Sequence, residues 1–258
     1  MPANPDTLFA IQMATATFRF YEELNDFLPG PRRKQDIVVE FERHNSIKDM
    51  IESLGVPHTE IDLILVNGKT VDFSYIVRDQ DRISVYPVFE SLDISPLQRL
   101  RPEALRKVRF VLDTHLGKLA KYMRMLGFDT LYSNSCDDAT LVKLSCLAEG
   151  RILLTRDIGL LKRKMITHGY FVRETRPRSQ TREILKRFDL RGMIKPFQRC
   201  VHCNSEIQAV PKENIADCVP AGILRDFDDF VICSGCRHIY WKGSHYDRML
   251  NFITMLTQ

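Results

Sequence analysis

The sequence predicts an α/β protein in which a small α+β unit precedes a doubly wound parallel sheet and a short metal-binding segment. Three observations predict it. Residues 1–92 order as strand, strand, helix, strand, strand; residues 107–196 alternate short buried strands with helices; and two Cys-x-x-Cys pairs follow, Cys200 with Cys203 and Cys233 with Cys236. The expected division is therefore a first domain at 1–92, a linker at 93–106 marked by Pro96 and Pro102, the sheet domain at 107–196, and a metal segment with a C-terminal extension at 197–258.

In the first domain, Thr15 to Tyr21 alternates with Phe18 and Phe20 on one face. After a turn at Pro29-Gly30-Pro31 a second strand runs from Ile37 to Phe41. Ser46 with Asp49 resembles a capping box and opens a helix through Ile47, Met50, Ile51 and Leu54, stopped by Gly55 and Pro57. Ile61 to Val66 then runs into Asn67-Gly68, a hairpin signal, and Arg82 to Val88 is the last strand. That order is the ββαββ of a β-grasp, or ubiquitin-like, fold. Leu65-Val66-Asn67-Gly68 and Asp81-Arg82-Ile83-Ser84-Val85-Tyr86-Pro87 resemble the sulfur-carrier branch of that superfamily, whose members work through a C-terminal Gly-Gly. None of the twelve glycines here is adjacent to another and the chain continues past Val88-Phe89-Glu90. Thiocarboxylate chemistry is excluded, and a module that binds a protein partner is the reading left.

The sheet domain reads as Val108 to Leu112, a helix carrying Leu116, Leu119, Ala120 and Met123 and ended by Gly127, a strand at Thr130-Leu131-Tyr132, and a helix from Asp137-Asp138 to Glu149. A strand Ile152 to Thr155, a short helix near Leu160 to Ile166, a strand Tyr170 to Val172 and a helix Ser179 to Phe188 complete it. Repeated βα units put ligands beyond the carboxyl ends of the strands, and the residues there are acidic: Asp113, Asp137 with Asp138, and Asp157. Converging carboxylates repel unless cations lie between them, and Mg²⁺ or Mn²⁺ takes such oxygen ligands for phosphodiester hydrolysis. Each residue also has a plain structural reading: Asp137 caps its helix, Asp157 starts the next, and Asp113 closes a strand-end turn. Lys118 and Lys121 lie on the helix face opposite its apolar stripe and suit a phosphate; Arg124 and Arg156 are further basic candidates.

Charge agrees with a polyanionic substrate. Residues 1–96 carry 9 Lys and Arg against 16 Asp and Glu, a balance of −7, whereas residues 97–258 carry 28 against 17, a balance of +11. The 258 residues, 44% hydrophobic and 27% charged, contain no uncharged run of the length a bilayer span needs, so no membrane partner and a cytoplasmic location are expected. In such a chain paired Cys-x-x-Cys motifs point to one four-sulfur structural zinc rather than disulfides. Tyr240, Trp241, Lys242, His245 and Tyr246 follow the second pair and have the mixture that stacks on unpaired bases and meets phosphates, or that packs the segment onto the sheet.

The stretch Asp113-Thr114-His115-Leu116-Gly117-Lys118-Leu119-Ala120-Lys121-Tyr122-Met123-Arg124-Met125-Leu126-Gly127-Phe128-Asp129-Thr130 resembles the opening of the Mut-seven C-terminal ribonuclease family. The resemblance continues through Asp137-Asp138, Gly150-Arg151-Ile152-Leu153-Leu154-Thr155-Arg156-Asp157, both cysteine pairs and Tyr240-Trp241-Lys242-Gly243-Ser244-His245-Tyr246, about residues 107 to 250, and the first domain is similar to one that accompanies bacterial members. It implies a PIN-like nuclease domain with a C-terminal zinc ribbon, RNA as substrate, single-stranded or structured, Asp113, Asp138 (with Asp137 beside it) and Asp157 as Mg²⁺ or Mn²⁺ ligands, and Lys118 as a phosphate contact. The expected function is a metal-dependent ribonuclease, read as an endonuclease. The competing expectation is a catalytically silent RNA-binding adaptor whose ubiquitin-like domain recruits a protein.

Overall fold

The computed structural model describes residues 13–42, 44–87, 100, 108–146 and 150–257. The chain divides into two compact units, Met1–Ala104 and Leu105–Gln258. Apart from Leu100, the linker read at 93–106 lies outside the described residues, as do the strand end at Val88 and the helix end at 147–149.

In the first unit, strands β1 (Ala14–Phe20), β2 (Asp36–Phe41), β3 (Ile61–Val66), β4 (Lys69–Thr70) and β5 (Asp81–Pro87) and helix α1 (Ile47–Ser53) form in chain order. The sheet runs β2-β1-β5-β3-β4, with β1 and β5 parallel and the other neighbours antiparallel. Alternation along β1 buries Ala14, Ala16, Phe18 and Phe20, which meet Ile83 and Val85 of β5 and Ile47, Met50 and Ile51 of α1 in one core. The capping box forms, with Asp49 N donating to Ser46 Oγ at 3.1 Å and the hydroxyl donating to Asp49 Oδ2 at 2.7 Å. Asn67 and Gly68 take φ of +49° and +80°, the tight turn that lets the short β4 fold back on β3.

The second unit contains a parallel sheet of β6 (Phe110–Leu112), β7 (Thr130–Leu131), β8 (Ile152–Thr155) and β9 (Gly169–Phe171), in the order β7-β6-β8-β9. Helices α2 (Gly117–Met125), α3 (Asp138–Ser145), α4 (Ile158–Leu161) and α5 (Pro177–Arg187) connect and follow the strands. The period of two along β6 and β8 sends Phe110, Leu112, Ile152 and Leu154 to one face, where they meet Leu119, Ala120 and Met123 of α2 and Ile184 and Leu185 of α5. Val111 and Leu153 point the other way, to Leu141 and Val142 of α3 and Leu160 and Leu161 of α4. Both faces are covered, as a doubly wound sheet requires. Gly127 ends α2 at φ +96°, where any Cβ would run into the Lys195 carbonyl.

Two elements differ from expectation. The short helix read near Leu160 to Ile166 starts and ends earlier, at Ile158–Leu161, because Asp157 caps it, accepting from Gly159 N at 2.7 Å and Leu160 N at 3.3 Å. The C-terminal segment, read as an extension of the metal segment, forms the longest helix of the second unit among the described residues, α7 (Ser244–Thr257), and Phe252, Ile253 and Leu256 enter the core beneath Phe110 and Leu112. Residues 107–196 and 197–258 therefore share one core. Between them lies a three-stranded antiparallel sheet of β10 (Ile207–Ala209), β11 (Phe230–Cys233) and β12 (Ile239–Trp241), in the order β10-β11-β12, covered on one side by the short helix α6 (Ala221–Asp226) and the 3₁₀ segment Lys212–Cys218. Among the described residues no helix is long and apolar enough to cross a membrane.

If α7 completes the core, Phe252→Ala should lower the unfolding free energy of the second unit by about 3–5 kcal/mol in a urea titration. A change below about 1 kcal/mol would place the helix outside the core.

Candidate active site and metal centre

The strand order puts β6 and β8 side by side with chain connections leaving in opposite directions, the crevice where open α/β sheets bind ligands. Asp113 is the residue after β6 and Asp157 lies two residues after β8. Asp113 is only 8% exposed. Its Oδ1 accepts from Thr114 N at 2.5 Å and its Oδ2 from Thr155 Oγ1 at 2.6 Å. The same Thr155 hydroxyl accepts from Asp157 N at 2.9 Å, so one fully buried side chain fixes both strand ends. Sequence reasoning did not single out Thr155; a β-branched hydroxyl at the inner end of an otherwise aliphatic strand was the available signal.

The other acidic candidates take on structural work. Asp137 caps α3 through Thr140 N at 2.8 Å, and Asp138, one residue on, pairs with Arg163 Nη2 at 3.0 Å with both side chains about half exposed. Among the described residues the four cysteines are the one group of three or more His, Cys, Asp or Glu whose ligand atoms lie within 4.8 Å of one another. Asp113, Asp138 and Asp157 therefore share a sheet edge without converging on a common point.

The basic candidates separate. Lys118 is exposed at the start of α2, just past Asp113. Lys121, also exposed, faces His202: burial first, then the charges of His238, Lys121 and Arg124, hold that imidazole below its ordinary range. Arg124 is not a substrate group. It is 3% exposed, and its guanidinium donates to the carbonyls of Thr130 at 2.9 Å, Val201 at 3.2 Å and His202 at 2.8 Å, so its donors are spent inside the fold. Arg156 is likewise committed, with Nη1 reaching the carbonyls of Val172, Arg173 and Glu174 within 2.8 Å and fixing the loop after β9. Trp241 is half-buried against Phe230, Lys242 pairs with Asp229 at 2.8 Å, and His245 is exposed at the start of α7.

The cysteines form two matching knuckles. In each, the N–H of the residue after the second cysteine donates to the carbonyl of the first, Asn204 to Cys200 at 2.9 Å and Arg237 to Cys233 at 3.2 Å. In each, the first cysteine's own N–H donates two residues past the second, Cys200 to Ser205 at 2.8 Å and Cys233 to His238 at 2.9 Å. Asn204 and Arg237 both adopt positive φ, +74° and +61°, to close these turns. The Sγ atoms of Cys200 and Cys236 lie 3.5 Å apart and those of Cys203 and Cys233 3.3 Å apart, near the edge of about 3.8 Å that a tetrahedron with 2.3 Å metal–sulfur bonds would have. Gly235 N and Cys236 N point at Cys233 Sγ, and Tyr240 Oη lies 3.1 Å from Cys200 Sγ. The crowded thiols share protons unequally. Burial works against ionising Cys203, but hydrogen bonds from Ser205 and the neighbouring sulfurs outweigh it and bring its pKa down to about 6. For Cys236 the His238 N–H favours the thiolate, while burial and the other three sulfurs outweigh it and push the thiol up to about 12. A bound dication removes that competition by holding all four as thiolates.

The first knuckle is tied to the sheet by Asp129, immediately before β7. Its carboxylate accepts from Arg151 at 2.8 and 3.1 Å and from Asn204 Nδ2 at 2.8 Å, with Arg109 and Arg199 at 3.7 and 3.8 Å. Asn204 returns its Oδ1 to Thr130 N at 2.9 Å. Arg109 and Arg151 precede β6 and β8, so this hub sits on the amino edge of the sheet, opposite Asp113 and Asp157. Burial opposes the Asp129 charge, but the Arg151 and Asn204 bonds and the arginine charges outweigh it and hold the carboxyl below its ordinary range. A carboxyl depressed in the folded state stabilises fully above its unfolded value of about 3.9 and loses that contribution as pH falls through the folded value. Asp129→Asn should therefore destabilise the second unit by about 3 kcal/mol at pH 7 and flatten its stability loss below about pH 4. Unchanged acid unfolding in the variant would remove Asp129 from this role.

Neither the curated proteins nor the solved structures searched gave a match to the chain. Two family descriptions do match: the Mut7-C ubiquitin domain over residues 13–93 and the Mut7-C RNAse domain over residues 108–253. With the second match spanning more than half of its length, and with the ubiquitin-like unit ahead of it, the chain belongs to the Mut7-C RNAse domain family.

Proposed function

We propose that the protein is a ribonuclease that hydrolyses RNA phosphodiester bonds, acting as an endonuclease, at the carboxyl edge of its parallel sheet, and that Cys200, Cys203, Cys233 and Cys236 hold a structural zinc. The observation that carries the reading is the Asp113–Thr155–Asp157 arrangement: two aspartates at adjacent strand ends of the switch-point crevice, tied together by one buried hydroxyl that donates to the Asp113 carboxylate and accepts the Asp157 backbone N–H. Asp113 and Asp157 are the residues that would hold Mg²⁺ or Mn²⁺, a cation that keeps several waters and needs only one or two carboxylates. Such an ion supplies, when bound, charge neutralisation at the phosphate and an acidified water.

The chain's own residues do the rest. Oδ1 of Asp113 accepts from the Thr114 amide and, at 3.2 Å, from the Thr114 hydroxyl, while Oδ2 accepts from the Thr155 hydroxyl alone and keeps a lone-pair direction for a ligand. Thr155 gives its only proton to Asp113 and takes one from the Asp157 amide, which sets the distance between the two strand ends. Tyr132 donates to the Thr114 carbonyl at 2.9 Å and packs against Gly117, where a Cβ would come within 2.5 Å of its hydroxyl; this holds the turn that presents Asp113 and Lys118. Lys118, exposed just past Asp113, meets a phosphate as a point charge. Asp138 stands at the N-terminus of α3 with one carboxylate oxygen paired to Arg163.

A second reading has its own support: Asp113, Asp138 and Asp157 do not converge, and each already has a partner, Thr155, Arg163 and the Gly159 amide respectively. In that reading the protein binds RNA without cutting it, and the ubiquitin-like unit recruits a protein. Incubation of RNA with Mn²⁺ separates the two. Asp113→Asn should lower the cleavage rate at least about 100-fold while leaving far-UV circular dichroism unchanged; equal cleavage by variant and wild type would remove the assignment, and RNA binding with no cleavage by wild type under any divalent ion would favour the adaptor. Thr155→Val should cost about 10- to 100-fold and raise the Mn²⁺ concentration required, with Thr155→Ser restoring most of it. A loss of rate with no change in Mn²⁺ requirement would assign Thr155 to packing alone.

A further inference from the structure

Beside edge strand β12 the second unit contains a groove of about 600 Å³ whose walls include Phe197, Phe227, Tyr240, Trp241, Tyr246 and Met249. Its chemistry is unlike that of the sheet. Residues 107–196 carry 19 Lys and Arg against 9 Asp and Glu, whereas residues 197–258 carry 6 against 7. The sheet is built to hold phosphates, and the groove is near neutral and aromatic. Its polar lining includes Lys242 held by Asp229, the exposed His245, and His202 beside His238 with ring centres 4.5 Å apart. Phe197 and Tyr246 lie 4.7 Å apart and join the short segment before the first knuckle to α7, so the aromatic wall is fixed from both sides. Gly243 leaves the floor open: a Cβ there would come 3.0 Å from Trp241 Nε1 and 3.6 Å from the Phe227 ring.

We infer that this groove is a binding site for an unpaired RNA base, so that the substrate is engaged as a single strand, with the base stacked on Trp241 and Tyr246 and its flanking phosphate at Lys242 and His245. The inference rests on the reading of the protein as one that acts on RNA and adds which form of RNA it takes. Aromatic platforms of this kind accept any base because every base has a π-face, whereas a base paired in a duplex presents no face to stack. The volume lies within the range of small-ligand sites and suits a nucleotide with its sugar. The exposed Lys242–Asp229 pair and the exposed His245 put polar groups beside the aromatic wall; a strand that presents a planar ring, hydroxyls and a phosphate meets both, whereas an extended apolar peptide meets the wall alone.

Trp241 is the protein's one tryptophan, so its fluorescence reports on the groove directly. The full chain, without added divalent cation, is titrated with an unpaired RNA oligonucleotide of about twelve residues and with the same sequence in a duplex. The unpaired strand should quench Trp241 emission and the duplex should not. Tyr246→Ala should weaken the quenching affinity about tenfold and Tyr246→Phe should restore it. Should Tyr246→Ala fail to fold by far-UV circular dichroism, the exposed Lys242→Ala replaces it, with a several-fold weakening and a shallower salt dependence expected. Binding seen by anisotropy with no change in Trp241 emission, equal quenching by duplex, or an emission change driven by protein concentration alone, which would mark a second copy as the occupant, would each overturn the assignment. Quenching with no Mn²⁺-dependent cleavage would count against the nuclease reading alone, and cleavage without quenching against the groove alone.

Discussion

One half-buried carboxylate determines how the second unit holds together. Asp129 sits at the amino edge of the parallel sheet, is surrounded by Arg151, Arg109, Arg199 and the Asn204 amide, and is ionised because these partners outweigh its burial. A charge in that position needs every one of its donors. Arg151 and Arg109 come from the residues just before β8 and β6, and Asn204 comes from the first metal knuckle. The same contact thus sets the register of the strands and the seat of the metal site. Arg124 doubles it from the other side by donating to carbonyls of both β7 and the knuckle.

The order that begins there passes outward. With the first knuckle seated, the matching second knuckle is brought within metal-binding distance, and it carries β11 and β12 with it. Trp241 and Gly243 lead directly into α7, whose Phe252, Ile253 and Leu256 return to the core under Phe110 and Leu112. The cysteine site is therefore not an appendage. It closes a loop of chain that starts and finishes on the parallel sheet, and that is why four sulfur ligands with no open position suit it. The proposed chemistry lies at the other end of the strands. Strands of three to four residues at about 3.3 Å per residue separate the two edges by on the order of 10 Å, which would keep a soft-ligand ion at the cysteines apart from the proposed hard-ligand one.

Much of this was legible in the sequence, for reasons that can be stated residue by residue. The capping pair Ser46 and Asp49, the Asn67-Gly68 turn and the alternation of β1 are local signals, and the structure contains them as local features. Both Cys-x-x-Cys pairs announced their partners because sulfur ligands at that spacing have few other uses. The stripe Met249, Phe252, Ile253 and Leu256 was also readable, at helical spacing, but the segment was read only as a C-terminal extension. What was not legible depended on long-range geometry. Arg124 looks like any basic residue on a helix until its neighbours at Val201 and His202, nearly eighty residues away, are known. Asp129, Asn204 and Thr155 are ordinary polar residues in sequence and acquire meaning only as paired groups, the last two buried and Asp129 half-buried. The aspartates show the opposite limit: their sequence positions fit both catalysis and capping, and the structure gives Asp137 and Asp157 the capping bonds in full.

The central claim is that the four-cysteine metal site and the parallel sheet are one cooperative unit joined through Asp129 and Asn204. Hydrogen exchange by mass spectrometry on the full chain loaded with zinc, before and after extraction with a high-affinity chelator, tests it most directly. The account predicts that removal strips protection from β10 to β12 and equally from β6, β7, β8 and α7, while β1 to β5 in the first unit stay protected. Loss of protection confined to the segment from Cys200 to Trp241, with the parallel sheet unchanged, would contradict it.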